Sequence, residues 1–217
     1  MDRNEQSFRT AAQKAFDIIS QKILDGELEP GAKLSRRKMA ELTGVSVIPV
    51  IEALNRLEDE GLVESKPQWG SFVTVPTVEK IQDIYTLREA VECQVARILA
   101  LQLTALQAAE LCRIAMELDS IEYTADTYKA ITLLHYEFHF KLAEYTGCNS
   151  LIASLRRINL FWLLCKAVST RRGRAPIPSN WHLSLVKEIM SGDADKAEKL
   201  MRVHVNDSRI AILEQAQ

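Results

Sequence analysis

Several features are missing from this sequence, and each absence removes a class of protein. No apolar run approaches the roughly 18 uninterrupted residues that a membrane-spanning helix needs. The longest candidates, Val95–Leu106 and Leu160–Val168, are broken by Arg97 and Gln102 and by Lys166. The opening MDRNEQSFRT holds no apolar segment of the kind an export signal requires, so export is not expected. The cysteines Cys93, Cys112, Cys148 and Cys165 show no C-x-x-C spacing. Each is read in an apolar helical setting, which predicts reduced thiols in a cytoplasmic protein. Positive charge is not in excess either: 27 Lys and Arg against 29 Asp and Glu leave a net charge of −2. That excludes a globally basic coat for nucleic acid and leaves only a local patch. Finally, His135-Tyr136-Glu137-Phe138-His139 is not the zincin H-E-x-x-H arrangement. Glu137 is two residues from each histidine and projects to the opposite helix face.

What remains is 217 residues, 47% hydrophobic and 26% charged, enough for two compact domains with a sizeable core. Apolar positions at Ala12, Ala15, Phe16, Ile19 and Ile23 predict a helix from Phe8 to Leu24, ended by Asp25-Gly26. After a turn at Glu29-Pro30-Gly31, a short helix is predicted over Ser35–Leu42, with Ser35 as N-cap and Gly44 just past its end. Ser46 is read as the cap of a third helix reaching about Glu60, with Pro49 in the first turn, where a missing N–H loses nothing. Past Gly61 the apolar period changes to two. Leu62–Ser65 and Ser71–Val75 bracket Lys66–Gly70 as a two-stranded hairpin. Three helices and a hairpin make a winged helix-turn-helix, in which the Ser46 helix lies in the major groove and the hairpin beside the backbone.

The segments I-L-D-G-E-L-E-P-G-A-K-L (23–34), M-A-E-L-T-G-V-S (39–46), P-V (49–50), E-A-L-N-R-L-E-D-E-G-L-V (52–63) and G-S-F-V (70–73) fall in fixed order. Over residues 16–75 the chain resembles the DNA-binding domain of the GntR family of bacterial transcription regulators. The resemblance implies double-stranded operator DNA as partner. Arg37 stands where the family has one of its DNA-contacting arginines. Two other family arginines are replaced by Val47, after the Ser that opens the recognition helix, and Ile51, after the Pro-Val pair. The candidates for DNA contact are Arg36, Arg37, Lys38, Ser46, Val47, Ile51, Arg56, Lys66 and Gly70. Either Val47 and Ile51 pack on thymine methyl groups, giving an A·T-leaning site read partly by shape, or the module binds DNA weakly or has put this surface to another use.

Pro76-Thr77 marks a boundary between a domain of residues 1–76 and one of residues 77–217, and from Val78 the chain reads as helices only. A first helix over Val78–Gln102 places Ile81, Ile84, Arg88, Val91, Val95 and Leu99 on one face. Arg88 there is either an i,i+4 partner of Glu92 at the edge of an interface or a fork aimed at a ligand carboxylate. Further helices are predicted over Ala105–Ile121, Thr127–Thr146, Leu151–Thr170, Trp181–Met190 and Ala194–Glu214. The run Arg171-Arg172-Gly173-Arg174 is read as a loop. The chain's four histidines, His135, His139, His182 and His204, all fall on inward faces. A lone histidine on an apolar face is usually a satisfied core residue. Four of four argue for a shared purpose, because burying each imidazole separately repeats the desolvation penalty, and together they describe a metal site.

L-R-E-A-V-E (87–92), F-H-x-x-L-A-E-Y-T-G-C-N-S-L (138–151), H-x-x-L-V-K-E-I (182–189), G-D-A-D-K-A (192–197) and M-R-V-H-V (201–205) resemble the FCD effector domain of the FadR subfamily within GntR. That resemblance, over residues 80–215, implies an antiparallel all-α bundle, a homodimer and a central cavity, often holding a divalent metal on one Asp and three His. His139, His182 and His204 fall on the family's histidine positions, and His135 replaces its Asp. Four neutral imidazoles around a divalent ion leave a net charge of +2, favouring Zn²⁺ or Ni²⁺ over Mn²⁺ or Mg²⁺ and an anionic ligand in any open position. The expected effector is a small organic acid, with Arg88 and Asn149 as effector-binding candidates. The mainly α chain is therefore expected to be a ligand-responsive transcription regulator. A metal sensor for Zn²⁺ or Ni²⁺ and a metalloenzyme on the same site are the alternatives.

Overall fold

The structure is a computed structural model describing residues 10–122, 124, 126–169 and 180–216. The chain divides into two compact units, Met1–Pro76 and Thr77–Gln217. No helix among the described residues is long and apolar enough to cross a membrane.

In the N-terminal unit, α1 (Ala11–Leu24) begins at Thr10, whose hydroxyl accepts from the Gln13 amide at 3.1 Å. It buries Ala15, Phe16, Ile19 and Ile23, the stripe expected from helical spacing; the first residues of the predicted Phe8–Leu24 helix lie outside the described residues. Helices α2 (Arg36–Thr43) and α3 (Val47–Asp59) follow, joined through Gly44, whose φ of 65° ends α2 in the left-handed region. Ser35 and Ser46 occupy the N-cap positions, but neither side chain makes a capping hydrogen bond. Helix α3 turns Val50, Ala53, Leu54 and Leu57 into the core.

The wing differs from the expected two-stranded hairpin. Strands β2 (Val63–Lys66) and β3 (Gly70–Val73) pair antiparallel with Val63 opposite Val73. A third strand, β1 (Lys33–Leu34), pairs on the other side of β3 with Lys33 opposite Phe72. Two residues are too few to display an alternating pattern, so β1 left no periodic signal.

The C-terminal unit contains α4 (Val78–Gln102), α5 (Ala105–Ser120), α6 (Tyr128–Tyr145), α7 (Asn149–Ser169), α8 (Trp181–Met190) and α9 (Ala194–Ala216). Polar caps set the boundaries. Thr77 accepts from the Lys80 amide, and Thr104 with Gln107 forms a reciprocal capping box at α5. Helix α4 packs against α6, α7, α8 and α9, while α5 packs against α6 and α8. Because α4 is surrounded, its buried set is broader than one stripe. Tyr85, Glu92, Cys93 and Ala96 are buried beside Ile81, Arg88, Val91, Val95 and Leu99, whereas Ile84 is only half-buried. Cys148 falls in the turn before α7 rather than in a helix, and none of the four cysteines is in a disulfide. The Arg171–Arg174 loop lies outside the described residues.

Candidate functional site

All four histidines are buried in the C-terminal unit, two from α6, one from α8 and one from α9. His135 and His139 lie one turn apart on α6, so their rings share one face, tilted by 51° with centroids 4.5 Å apart. Nε2 of His139 is 3.3 Å from Nε2 of His135 and 3.1 Å from Nε2 of His204. His135, His139 and His204 can offer ligand atoms that all lie within 4.8 Å of one another. The ring of His182 stands beside this trio, its centroid 5.1 Å from both the His135 and His204 centroids.

Two carboxylates stand behind the histidines. Asp119, at the end of α5, places Oδ1 2.7 Å from Nδ1 of His182. Glu92 on α4 contacts Nδ1 of His139 through Oε2 and Nε of Arg88 through Oε1. A carboxylate beside Nδ1 draws the ring proton to that nitrogen and leaves the lone pair on Nε2. Nε2 of His182 is buried without a hydrogen-bond partner. On His139 the single Nε2 lone pair meets two further ring nitrogens at once.

Those atoms test whether a metal ion fits. Ligand nitrogens roughly 2.0–2.1 Å from a tetrahedral Zn²⁺ stand about 3.3 Å apart, close to the two separations around His139. A cation satisfies several converging lone pairs simultaneously, which a neutral imidazole with one N–H cannot do. Electrostatics keep the donors available: burial, then the neighbouring histidines and Arg88, push His135 well below the usual histidine range. Burial also lowers His139, opposed by Glu92. Burial raises the Glu92 carboxyl, but Arg88 and His139 outweigh it and hold it at about 2. The donor set fits a borderline divalent cation.

Three expectations change. The ion pair of Arg88 with Glu92 is not at the edge of an interface: Arg88 is 1% exposed, with its guanidinium over the Tyr85 ring at 5.5 Å. A pair removed from water is governed by desolvation rather than by the few tenths of a kcal/mol of a surface i,i+4 contact. The local charge is also lower than the ligand count suggested. With Arg88, Glu92 and Asp119 included, a divalent ion there has a net surrounding of +1 rather than +2. Asn149 is exposed at the first position of α7. Sequence reasoning missed Asp119 altogether. It meets His182 across 63 residues of chain, and no local spacing announces such a contact. Glu92 was seen only as a partner of Arg88.

In the N-terminal unit, Arg36, Arg37, Lys38, Ser46, Val47, Arg56, Lys66 and Gly70 are exposed and Ile51 is half-buried. Val47 is 42% exposed, so it is not spent on the core, and Ile48 beside it reaches 71%. Ile48 and Asn55, both outward on α3, were not singled out from the sequence, although they lie opposite the Val50, Ala53, Leu54 and Leu57 face. Arg37 pairs with Glu41 at 3.3 Å, and Lys66 pairs with Glu64 at 3.4 Å. Arg56 donates to Gln13 at 2.8 Å.

Comparison with known proteins agrees with both halves. Residues 11–73 match the bacterial regulatory proteins of the gntR family, and residues 83–207 match the FCD domain. The chain is 25% identical over 202 residues to the HTH-type transcriptional repressor RspR of Escherichia coli (strain K12), covering 90% of this chain and 86% of that protein. A GntR crystal structure from Rhodococcus sp. RHA1 superposes with a TM-score of 0.73 at 25% identity, over 94% of this chain and 97% of that one. The structure of E. coli McbR/YncC shares the fold, with a TM-score of 0.74 at 18% identity over 95% and 98% of the two chains. The chain belongs to the gntR family of bacterial regulatory proteins, carries an FCD domain behind a winged helix-turn-helix, and is a transcription regulator rather than an enzyme.

Proposed function

We propose that this regulator is a cytoplasmic homodimer whose winged helices bind operator DNA under the control of a small organic acid, bound beside a divalent metal on His135, His139, His182 and His204. The observation carrying the reading is the pair of imidazoles whose Nδ1 atoms are held by carboxylates, His139 by Glu92 and His182 by Asp119. Each carboxylate leaves the Nε2 lone pair of its ring available: on His139 it lies among the Nε2 atoms of His135 and His204, and the His182 ring stands beside that trio. Nitrogen donors favour Zn²⁺ or Ni²⁺ over Mn²⁺ or Mg²⁺. By expanding to a fifth coordination position beside the four imidazoles, the ion would supply a Lewis-acid position for one oxygen of an anionic effector. Arg88, buried next to the cluster, supplies the second positive charge; with Asn149 exposed, the effector role rests on Arg88.

On the DNA side, Arg36, Arg37, Lys38 and Lys66 supply charge for phosphates, and the Ser46 hydroxyl is not committed to capping α3. Gly70 lets β3 start at a φ of 96° beside the wing turn. Val47 and Ile51 present apolar surface suited to thymine methyl groups. The test is metal analysis of protein purified without chelator, with a thermal-shift screen of organic acids run with and without chelator. Stoichiometric zinc or nickel and a chelator-sensitive shift by one acid are expected. Absence of stoichiometric metal overturns the reading.

A second reading is favoured by the all-imidazole donor set: the metal itself is the signal. In that case Zn²⁺ or Ni²⁺ alone changes affinity for DNA selected from a randomised library, and no organic acid adds to the change.

A further inference from the structure

Helix α8 begins without a conventional cap. Asn180 occupies the N-cap position at a φ of 58°, and its side chain makes no capping hydrogen bond. The amides of the first turn are satisfied instead from another helix. Oδ1 of Asp119 accepts from the His182 amide at 3.2 Å, and Oδ2 accepts from the Leu183 amide at 2.9 Å. These are the positions an N-cap side chain normally serves. Oδ1 is also the atom 2.7 Å from Nδ1 of His182. One carboxylate from α5 therefore takes three donors: two that fix where α8 starts and one that fixes which way the His182 ring faces.

We propose that Asp119 is the positioning residue of the metal centre, acting through His182, and that it ties metal binding to the seating of α8 on α5. The proposal rests on the metal reading above. An anion at a helix N-terminus stabilises the first turn, and an anion behind a ligand imidazole fixes its tautomer and ring orientation. Here both effects come from the same group, so a metal that holds His182 also holds the start of α8 against Asp119. Glu92 stands in the same relation to His139, but it also carries Arg88. Replacing Glu92 strands a buried cation, whereas Asp119 has no second charge to strand among its hydrogen-bond partners. Asp119 is thus the position at which the orienting role can be isolated.

The experiment is a double-mutant cycle on the full chain. Zn²⁺ affinity is measured by chelator competition for the wild type, Asp119→Asn, His182→Ala and the double variant. Asparagine keeps the shape but offers one acceptor oxygen where three donors converge, and no charge. Asp119→Asn should weaken Zn²⁺ binding about 10–100-fold in the wild-type background and leave it within about twofold when His182 is already alanine. Co²⁺ substitution should show a changed visible spectrum in Asp119→Asn only when His182 is present. Equal losses in both backgrounds mean that Asp119 merely caps α8 and overturn the proposal, as does an unchanged affinity in the single variant. If Asp119→Asn proves poorly folded, Asp119→Glu, which keeps the charge and displaces it by one methylene, carries the same cycle. A wild type that binds no Zn²⁺ or Co²⁺ removes the metal reading itself. Zinc-binding wild type with an uncoupled cycle removes only the role of Asp119.

Discussion

Arg56 lies over the ring of Phe16, its guanidinium carbon 4.3 Å from the ring centroid, and so joins α3 to α1. The hydrogen bond from its NH1 to Gln13 at 2.8 Å adds a second tie to the same helix. A residue expected to reach DNA is therefore also part of the scaffold of its domain.

Arg56→Ala should lower the stability of the N-terminal unit by about 1 kcal/mol through loss of the stacked cation and the hydrogen bond. Arg56→Lys should recover only part of it. Chemical denaturation followed by the fluorescence of Trp69, 70% exposed on the wing, and by circular dichroism would check this. An unchanged transition midpoint in Arg56→Ala would show that the clamp carries no weight.

Glu92 serves Arg88 and His139 from one buried carboxylate. Glu92→Ala should destabilise chelator-treated protein by about 3–5 kcal/mol, because it leaves a cation in the interior without its counter-charge. The double replacement Arg88→Met with Glu92→Met should be far milder than Glu92→Ala, since the pair leaves together. Urea titrations of the wild type and the two variants decide the point. If the double variant is no more stable than Glu92→Ala, the loss does not arise from the stranded charge.

Folding lowers the pKa of His135 and His139 through burial. Below the unfolded-state value of about 6.5, the unfolded chain therefore takes up protons that the folded chain refuses. Chelator-treated protein should be fully stable above about pH 7 and should lose stability as pH falls from about 6.5, by up to about 1.4 kcal/mol per pH unit for each histidine. Glu92, held at about 2, acts in a separate window: its contribution is present above about pH 4.3 and is lost as pH falls toward its folded value. Urea midpoints compared at about pH 7.5 and about pH 5.5, repeated with His135→Asn, give the histidine slope. A midpoint that does not move between them contradicts the histidine account.

Burial raises the Cys93 thiol to about 11, and Cys165 is also buried. Because the thiolate is the reactive form, iodoacetamide should label Cys112 and Cys148, both half-exposed, in native protein. Cys93 and Cys165 should react only after denaturation. Peptide mapping gives the order, and early labelling of Cys93 would contradict it.

Both folded units could be read from the sequence because their signals are local. The glycine just past α2, Gly44, and the apolar spacing of α1 and α3 each operate within a few residues. The inward direction of the four histidines was legible for the same reason, since helical period alone sets it. Their carboxylate partners were only half legible. Glu92 is one turn from Arg88, but its second contact, to His139, and the contact of Asp119 with His182 depend on how α4, α5, α6 and α8 pack. Tyr85 was missed similarly. Its ring fills the core while its hydroxyl hydrogen-bonds with Ser208 of α9 at 3.0 Å, across 123 residues of chain.

Strand β1, which left no periodic trace, places Lys33 beside Phe72 from one side, while β2 brings Lys66 to the same ring from the other. Their ammonium groups lie 6.0 and 5.1 Å from its centroid. Phe72 is therefore a shared contact for two cations, one of which, Lys66, is also paired with Glu64. Contact with one ring narrows the conformations open to both side chains, so less rotamer entropy is surrendered when both meet a pair of anionic groups. Replacing the ring by a small side chain would leave the charge untouched and loosen both cations together.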